Sequence, residues 1–406
     1  MLRPPVESTT MFAAIALIGL SAGALWAAPS YRAELIFPPE GFHNHSSCVV
    51  ECPNGDLLAC WYRGVGPEKG DDVAIWGARK LKDEATWRTR FIMADTPGYP
   101  DDNPCMFVDP QERLWLLWPT LLANKWETAV MKYRISRDYQ KPDAPPVWAW
   151  QDIIHVTPAQ FEKDVAAGIE RFTAQHPELV KAAGDRAATY INEMKTRAAD
   201  PLQQRLGWMT RVHPTLLPSG RLIVGLYSDA YSVSIMAMTD DWGQHWITSQ
   251  ALVGLGNIQP SVVRKNDGAL VAMMRENGMT RRIRISESKD NGMTWGPVAS
   301  MGLPNPGSGL EVIRLANGHW ALIYNDTEQD RYSLAVSISE DEGKTWKWTR
   351  HLEKWTPAQG ISASYPSIMQ AKDGALHATY SYSDPKGQSI KHAAFNEEWV
   401  MRGDGG

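Results

Sequence analysis

The sequence predicts an all-β protein, a six-bladed β-propeller that carries one α-helical insertion between blades two and three. Three observations predict this fold. A motif ending in Trp returns at regular intervals, glycine-containing turns separate short apolar strands, and a single segment changes to helical spacing. Self-similarity at a fixed period is typical of propellers and solenoids, and the radial repetition of small sheets protects their edge strands.

The repeated motif is a turn built around Asp and Gly. Its clearest copies are SKDNGMTW at residues 288–295 and SEDEGKTW at 339–346, and TDDWGQHW at 239–246 keeps all but the Thr. The terminal Trp residues follow one another at about 50 positions, which is the length of a blade. We expect the Asp side chain to stitch the turn and the Trp to pack between neighbouring blades. This motif, called the Asp-box below, is therefore predicted to serve folding and not chemistry.

Each Asp-box closes a larger unit of an apolar strand, a tight turn and further strands. Asn-Gly, Asp-Gly and Ser-Gly pairs suit such turns because their residues tolerate positive φ. Units one and two have lost the box, and the last unit ends near Trp399 without one. The turns are Asn54-Gly55, Ser219-Gly220, Asp267-Gly268, Asn317-Gly318 and Asp373-Gly374, with residues 110–112 (PQE) in the same position of the second unit. The six units begin near His43, Asp102, Arg211, Asn257, Gly307 and Ser362.

Residues 157–206 depart from the strand pattern. Apolar residues there recur at helical spacing, first at Phe161, Val165, Ile169 and Phe172 and again around Met194. Two or three helices are therefore predicted within the propeller domain, which would span residues 29–406. The insertion is expected either to cover one mouth of the channel or to be a surface addition.

Composition narrows the function classes. A net charge of −5 with no run of Lys or Arg argues against nucleic acid or an anionic membrane as the main partner. Residues 1–28 are interpreted as a signal peptide, because an apolar stretch from Met11 to Trp26 follows Arg3 and precedes small residues. This predicts a secreted or periplasmic protein, with an uncleaved N-terminal anchor as the alternative. No later apolar run is long enough to span a bilayer.

The sequence gives little indication of a redox motif, a metal site or a cofactor. The four cysteines, Cys48, Cys52, Cys60 and Cys105, show no zinc pattern and no CxxC, so we expect small buried hydrophobic side chains. The sequence contains no metal-binding motif and no cofactor motif. We therefore expect neither a metal nor a cofactor.

Polar residues recur where the innermost strand of each blade would meet the central channel, although a purely structural propeller needs none there. Those at the heads of the first strands include His43, His45, Asp102, Arg211, Gln259, Glu311 and Tyr365. Those at the ends of the second strands include Tyr62, Tyr227, Asp229, Arg275 and Asp326. A ligand site is therefore predicted at this mouth of the channel.

The chain resembles the sialidase (BNR/Asp-box) family over nearly all of residues 29–406. The resemblance implies that Tyr365, in SYPSI before Asp373-Gly374, is the nucleophile, since sialidases use Tyr in place of a carboxylate. It also implies that Arg275 and Arg331 hold the substrate carboxylate, a task that suits the planar guanidinium. The acid/base aspartate of the family lies in the loop after the first hairpin, which here offers Asp71 and Asp72.

Two positions depart from the family. His43-Asn44-His45 stands where the first blade would supply an arginine, and Gln259 stands where a glutamate would activate the tyrosine. Glu311 is the candidate replacement for the activating carboxylate, and Arg211 is the candidate replacement for the missing cation. His43, His45 and Gln259 are accordingly expected to contact the substrate.

Three functions are compatible with this pattern. The first is a retaining exo-glycosidase that removes sialic acid or a related acidic sugar from glycans. The second is a polysaccharide lyase on uronates, in which His or Tyr abstracts the proton next to an arginine-neutralised carboxylate. The third is a carbohydrate-binding propeller without catalysis, for which binding would survive Tyr365→Phe and Asp72→Asn together.

Overall fold

The computed structural model describes residue 1 and residues 28–405. It contains six four-stranded antiparallel sheets arranged as the blades of a propeller, with residues 161–205 forming helices between blades two and three. Both the six-bladed all-β fold and the helical insertion predicted from the sequence are confirmed. The predicted signal peptide lies, apart from its two ends, outside the described residues. Among the described residues, no helix is long and apolar enough to cross a membrane.

The strands follow one another blade by blade along the chain. Blade one comprises β2 (His43–Glu51), β3 (Leu57–Gly64), β4 (Ala74–Lys80) and β5 (Phe91–Ala94). Blade two comprises β6 (Cys105–Val108), β7 (Leu114–Leu121), β8 (Ala129–Asp138) and β9 (Val147–Ile153). Blade three comprises β10 (Thr215–Leu216), β11 (Leu222–Ser228), β12 (Val233–Thr239) and β13 (Ile247–Thr248).

The second half of the chain repeats this order. Blade four comprises β14 (Asn257–Arg264), β15 (Leu270–Glu276), β16 (Arg282–Ser288) and β17 (Ala299–Pro304). Blade five comprises β18 (Glu311–Arg314), β19 (Trp320–Tyr324), β20 (Ser333–Ser339) and β21 (Trp348–Lys354). Blade six comprises β22 (Ser362–Gln370), β23 (Leu376–Asp384), β24 (Gly387–Phe395) and, from the other end of the chain, β1 (Tyr31–Leu35).

Blade six closes the ring with strands from both ends of the chain. Strand β1 pairs antiparallel with β24, in a register that sets Tyr31 opposite Phe395 and Ala33 opposite Ala393. The ring of Tyr31 also stacks on Trp399 with a centroid distance of 4.5 Å. Trp399 lies in a short helix, α5 (Glu397–Met401), that follows the last strand. The last unit therefore ends without an Asp-box because its fourth strand comes from the N-terminal part of the chain.

The Asp-boxes have the hydrogen bonds that the sequence predicts. In the copy of blade five, Asp341 accepts from the backbone N–H of Thr345 at 2.8 Å and from its hydroxyl at 2.7 Å. Asp290 makes the same pair of bonds to Thr294. The Trp residue that closes a box is packed between blades, as Trp295 is among apolar side chains of blades three and four.

The insertion consists of α1 (Phe161–Gln175), α2 (Pro177–Ala183), α3 (Asp185–Ala199) and α4 (Pro201–Arg205). The apolar face of α1 is buried, as its spacing predicts. Phe161 meets the rings of Trp208 and Tyr231 edge-on, at centroid distances of 5.6 and 4.9 Å. The helices therefore pack on the loop that joins β11 to β12, next to the mouth of the channel.

All four cysteines are buried and free, as expected. All four belong to one apolar core cluster that includes strands of blades one and two, and Cys48 lies opposite Cys60 in neighbouring strands. Cys48 also contacts a polar group, since its Sγ lies 3.3 Å from Nε2 of His213.

Candidate active site

The candidate site is a cavity of about 350 Å³ at the mouth of the channel. The predicted residues His45, Arg275, Arg331 and Tyr365 all line it. Its other lining residues are Glu68, Asn103, Trp126, Tyr227, Asp229 and Asn277. Of these, Tyr227 and Asp229 occupy strand-end positions that the sequence places at the channel, and Asn103 follows the predicted Asp102. Glu68, Trp126 and Asn277 were not identified from the sequence.

Bulges in the innermost strands shape this site. The pairing of β22 with β23 shifts between Ser364 and Ser367, and Tyr365 lies at the bulge with φ of 52°. Gln259 has the same place in β14, with φ of 55°. Both residues precede a proline, and a proline disfavours α-helical backbone angles at the residue before it. Left-handed backbone of this kind is uncommon outside glycine and is concentrated at functional sites.

Tyr365 is surrounded by guanidinium groups. Its ring centroid lies 5.2 Å from Cζ of Arg211, 5.6 Å from Cζ of Arg275 and 5.2 Å from Cζ of Arg331. Its hydroxyl accepts a hydrogen bond from Nη1 of Arg275 and a longer one, 3.3 Å, from Nε2 of Gln259. The structure therefore brings together the tyrosine, the three arginines and the glutamine that the sequence singled out.

The three arginines are not equivalent. Arg211 is buried, and it donates to the backbone carbonyls of Ser47 at 3.3 Å and Pro366 at 2.5 Å. It does not line the cavity, so its charge acts from behind Tyr365. Arg275 and Arg331 are the two arginines that line the cavity. Burial would lower the pKa of Arg275, but Tyr365 and Asp229 outweigh burial and raise it.

Of the two histidines of blade one, His45 lines the cavity and lies next to Tyr365, whereas His43 does not line it. The ring of His45 is 4.1 Å from that of Tyr365, centroid to centroid. Burial holds the pKa of His45 well below its usual range, and the charges of Arg331, His43 and the other arginines lower it further. His45 is therefore neutral near pH 7. Nε2 of His43 lies 3.3 Å from the hydroxyl of Tyr62.

The loop after the first hairpin presents a different acid from the two predicted. Asp71 and Asp72 are both exposed and do not line the cavity. Asp72 accepts from the backbone N–H of Val65, and Asp71 accepts from the side chain of Asn124. Glu68, in the same loop, lines the cavity and accepts a hydrogen bond from Tyr62. One feature of the sequence could have indicated Glu68: it is the third acidic residue of the loop in which the acid/base residue was predicted to lie.

Two further carboxyl groups lie near this mouth, Asp102 being buried and Asp229 half-buried. Asp229 faces the cavity, and burial raises its pKa although Arg275 opposes the shift. Asp102 is buried, and neither of its oxygens has a hydrogen-bond partner among the described residues. Burial, reinforced by Glu68 and Asp101, raises the pKa of Asp102 well above its usual range. Asp102 is therefore favoured in its neutral, protonated form.

Glu311 lies apart from this cavity. Its Oε1 accepts from the backbone N–H and lies 2.8 Å from Nδ1 of His213, and its Oε2 accepts from the backbone N–H of Ile368 at 2.8 Å. Both carboxylate oxygens are therefore engaged in bonds that join blade five to blades three and six. The side-chain partner that reaches the hydroxyl of Tyr365 from blade four is Gln259.

Comparison with known proteins identifies the family to which the chain belongs. The BNR repeat-like domain matches residues 55–162 and 185–378. The anhydrosialidase of Macrobdella decora is 25% identical over 194 residues, which are 43% of this chain and 25% of that protein. The chain thus matches only about a quarter of the length of this curated relative.

Solved structures show the same fold at low identity. An intramolecular trans-sialidase from Ruminococcus gnavus, in complex with oseltamivir carboxylate, superposes with a TM-score of 0.65 at 12% identity, covering 88% of this chain and 95% of the other. A protein of unknown function from Dyadobacter fermentans gives a TM-score of 0.68 at 16% identity, covering 91% of this chain and all of the other. The chain belongs to the BNR-repeat family of the sialidase superfamily.

Proposed function

We propose that the protein is an exo-glycosidase that cleaves a terminal acidic sugar, sialic acid or a close relative, from glycans with retention of configuration. The observation that carries this proposal is the position of the Tyr365 hydroxyl, which is bonded to Arg275 in a cavity that also contains Arg331 and Glu68. A nucleophile, an anion clamp and a proton donor thus share one cavity.

Arg275 and Arg331 are proposed to bind the carboxylate of the sugar. Guanidinium binds carboxylate through two parallel N–H bonds and keeps its charge at any working pH. Nη2 of Arg331 donates to the carbonyl of Gly307 at 2.9 Å, and Nη2 of Arg275 donates to Oδ1 of Asn277 at 3.3 Å. These bonds fix both side chains before a ligand arrives. Because His45 beside them is neutral, only Arg275 and Arg331 supply positive charge to the proposed clamp. The family pattern would add a further arginine from blade one.

Tyr365 is proposed to attack the anomeric carbon. The phenol releases its proton to water, and the phenolate oxygen forms the covalent bond to the sugar as the glycosidic oxygen departs. Arg275 and Gln259 both donate to that oxygen, which stabilises negative charge on it. Gln259 cannot take the proton as a glutamate would. We propose that the positive charge of the three arginines replaces the work of that carboxylate.

Glu68 is proposed as the acid/base, in the role that the sequence assigned to Asp71 or Asp72. It would protonate the departing oxygen and then take a proton from the water that hydrolyses the glycosyl-enzyme bond. The support for Glu68 is its position in the cavity wall, whereas Asp71 and Asp72 do not line the cavity. The side chain of Asp72 is bonded within its own loop, and that of Asp71 is bonded to Asn124 of blade two.

The test is release of fluorophore from a simple aryl sialoside by the purified protein and its variants. We expect Glu68→Gln to lower kcat by roughly a hundredfold or more, because acid–base groups contribute about 10² to 10⁴. Tyr365→Phe should lower kcat at least as much, because it removes the nucleophile. Asp71→Asn, Asp72→Asn and the exposed Tyr99→Phe are matched controls and should stay within a few-fold of wild type. Full turnover by Tyr365→Phe would contradict the nucleophile, and loss in Asp72→Asn with none in Glu68→Gln would return the acid/base role to the aspartates.

A uronate lyase is the second candidate, favoured by one observation. A buried, neutral imidazole, His45, lies against Tyr365 in the arginine-lined cavity, and such a group can abstract a proton next to a neutralised carboxylate. A uronate polymer assayed for ultraviolet absorbance of the new conjugated double bond separates the two reactions, because hydrolysis creates no double bond. Turnover of neither substrate by the wild-type protein, with binding that survives in the double variant Tyr365→Phe and Asp72→Asn, would indicate a carbohydrate-binding propeller.

A further inference from the structure

A cleft of about 500 Å³ lies between blades two and three. Blade two contributes strands β8 and β9 and the turn between β6 and β7, and blade three contributes the turn of its Asp-box. Three aromatic side chains, Tyr133, Trp150 and Trp242, line the cleft. Its volume and its aromatic lining are in the range of small-molecule sites.

The cleft lies far from the candidate active site. Strand β12 begins just after the loop that carries Asp229 and ends at Thr239, where the Asp-box begins. A strand rises about 3.3 Å per residue, so the length of β12, roughly 20 Å, separates the two sites. Among the described residues, none lines both cavities. A ligand in the cleft is therefore not the sugar that Tyr365 is proposed to attack.

Trp242 stands at a position of the Asp-box that does not favour an indole. The same position is Asn291 in blade four and Glu342 in blade five. All three residues have positive φ, between 56° and 61°, which Asn tolerates and which is uncommon for a bulky side chain. The turn itself therefore gives no reason for Trp here. The ring of Trp242 instead lines the cleft, where its centroid lies 5.3 Å from Cζ of Arg113.

The second indole, that of Trp150 in β9, is exposed and yet held in place. The residue keeps 55% of its surface exposed, and its Nε1 donates to the hydroxyl of Tyr133 at 3.4 Å. Tyr133 in turn stacks on Trp115 at a centroid distance of 5.4 Å and donates to the carbonyl of Gly243 at 2.9 Å. Trp150 therefore presents a flat apolar face to the cleft before any ligand arrives.

The charges of the cleft favour a neutral ligand. Nε of Arg113 pairs with Asp109 at 2.6 Å, and the other two charged residues of the lining, Arg137 and Asp241, have opposite signs. The backbone N–H of His245, together with its ring, lowers the pKa of Asp241 to about 2, so this carboxylate stays ionised and repels an anion. Hydroxyl groups can both donate and accept, and they therefore suit this mixture of cations and carboxylate.

We propose that the cleft between blades two and three binds a neutral sugar ring of a glycan, with the apolar face of the ring on Trp150 and Trp242 and its hydroxyl groups on the polar side chains. A pyranose combines a flat C–H face with a rim of hydroxyl groups, which matches the two indoles and the balanced charges. The inference does not depend on the proposed function. Because the two sites lie about one strand length apart, the protein would hold two glycan chains, or two parts of one chain, at the same time.

The experiment measures binding of the purified protein to neutral oligosaccharides on a glycan array, followed by titration calorimetry of those that bind. We expect Trp150→Ala and Trp242→Asn each to weaken this binding by roughly tenfold or more, because aromatic side chains contribute much of the affinity of such contacts. Val147→Ala removes an exposed apolar side chain of the same strand outside the cleft and is the matched control. Arg275→Ala changes only the other cavity, so it should also leave this binding within a few-fold of wild type.

Denaturant titration separates binding from packing. Trp242→Asn installs the residue type of the blade-four box, so the free energy of unfolding should be unchanged or higher while binding is lost. A clear loss of stability in Trp242→Asn with binding retained would assign the indole to packing and overturn the proposal.

The remaining outcomes distinguish this site from the candidate active site. The proposal is overturned if the wild-type protein binds no neutral oligosaccharide, or if it binds only acidic ones. Binding that persists in Trp150→Ala but disappears in Arg275→Ala would assign the sugar to the other cavity and also overturn it. Hydrolysis of the aryl sialoside should be unchanged in both Trp variants, so failure of the cleft as a sugar site leaves the proposed function standing.

Discussion

At Tyr365 the direction of the side chain depends on an unusual backbone conformation. The residue has φ of 52° in a bulge, immediately before Pro366, and Gln259 before Pro260 has nearly the same φ. Such conformations cost about 1–3 kcal/mol each and persist only where the surrounding structure holds them. Hydrogen bonds from Arg211 to the carbonyl of Pro366 and from Arg275 to the phenol hydroxyl help to hold this one.

The clamp can be tested by a substitution that keeps its charge. Arg275→Lys retains the cation but loses the planar fork that reaches both the ligand and Tyr365. We expect kcat/KM on the aryl sialoside to fall by roughly tenfold to a hundredfold, because hydrogen bonds to charged groups contribute about 1.5–3 kcal/mol. Arg402→Lys, on an exposed residue, is the control and should leave kcat/KM unchanged. Unaltered kinetics in Arg275→Lys would remove this residue from the clamp.

Part of the site could be predicted residue by residue from the sequence. Arg275 and Tyr365 lie at strand positions that the repeat identifies, so their meeting at the channel follows from the period. Glu68 lies in an irregular loop, where no period indicates which of several acids turns inward. The outcome there depends on contacts such as the hydrogen bond from Tyr62, which only the folded chain provides.

Among the elements, the Asp-boxes show how local sequence produces a local structure. Three copies use the same bonds: the Ser or Thr at the first position bonds the Gly backbone N–H, and the Asp bonds the backbone N–H four residues later. The bond to the Thr345 backbone, together with that to the Thr345 hydroxyl, lowers the pKa of Asp341. Because all partners lie within a few residues, the motif forms wherever its sequence occurs.

This element can be weakened without touching the site. Asp341→Ala removes three hydrogen bonds from the turn of blade five and should lower the free energy of unfolding by about 1 kcal/mol, in the range of a lost helix cap. Lys344→Ala, in the same turn but exposed, should have almost no effect. Denaturant titration measures both, and kcat should be unchanged in both. A loss of activity in Asp341→Ala at full stability would give the box a role beyond folding.

For the helical insertion, the sequence predicts the helices but not their position on the propeller. Its helices were predictable because the apolar residues of α1 recur at a period of 3.6 and are buried as that period predicts. Its position was open between a cover of the channel and a surface addition. Contacts of Phe161 with Trp208 and Tyr231 place the helices beside the mouth, and those partners lie in segments with no periodic signal.

At the scale of the whole molecule, a buried ion pair joins several blades near the channel. His213 of the blade-three segment bonds Glu311 of blade five and the carbonyl of Val49 in blade one, and Glu311 also bonds blade six. Glu311→Gln leaves the His213 charge without its partner and should lower the free energy of unfolding by about 3 kcal/mol. Glu340→Gln, which breaks the exposed pair with Lys347, should change it by less than about 1 kcal/mol.

The same pair gives a pH dependence. Burial alone would lower the pKa of His213, but Cys48 and Glu311 outweigh it and hold the pKa well above its usual range. A raised pKa contributes stability that is fully present below the unfolded value of about 6.5 and is lost as pH rises through the folded value. Burial likewise opposes the low pKa of Glu311, but His213 lowers it, and this contribution is lost only as pH falls through the folded value.

Stability from the pair should therefore be greatest between about pH 4.3 and 6.5, the unfolded pKa values of Glu and His. Denaturant titrations at several pH values should show a decline above about pH 6.5 that is steeper in wild type than in Glu311→Gln. Parallel pH profiles of the two proteins would show that the pair does not carry this dependence.

The blades, the Asp-boxes, the helical nature of the insertion and the residues at the heads of the strands can all be predicted from the amino-acid sequence. Each of these follows from a period or from bonds between near neighbours, and such information is local. Four features emerge only from the folded chain: β1 completes blade six, Glu68 and not Asp71 or Asp72 lines the cavity, Arg211 lies behind Tyr365, and Glu311 pairs with His213. These arrangements depend on contacts between residues far apart in the chain, and closure of the ring brings those residues together.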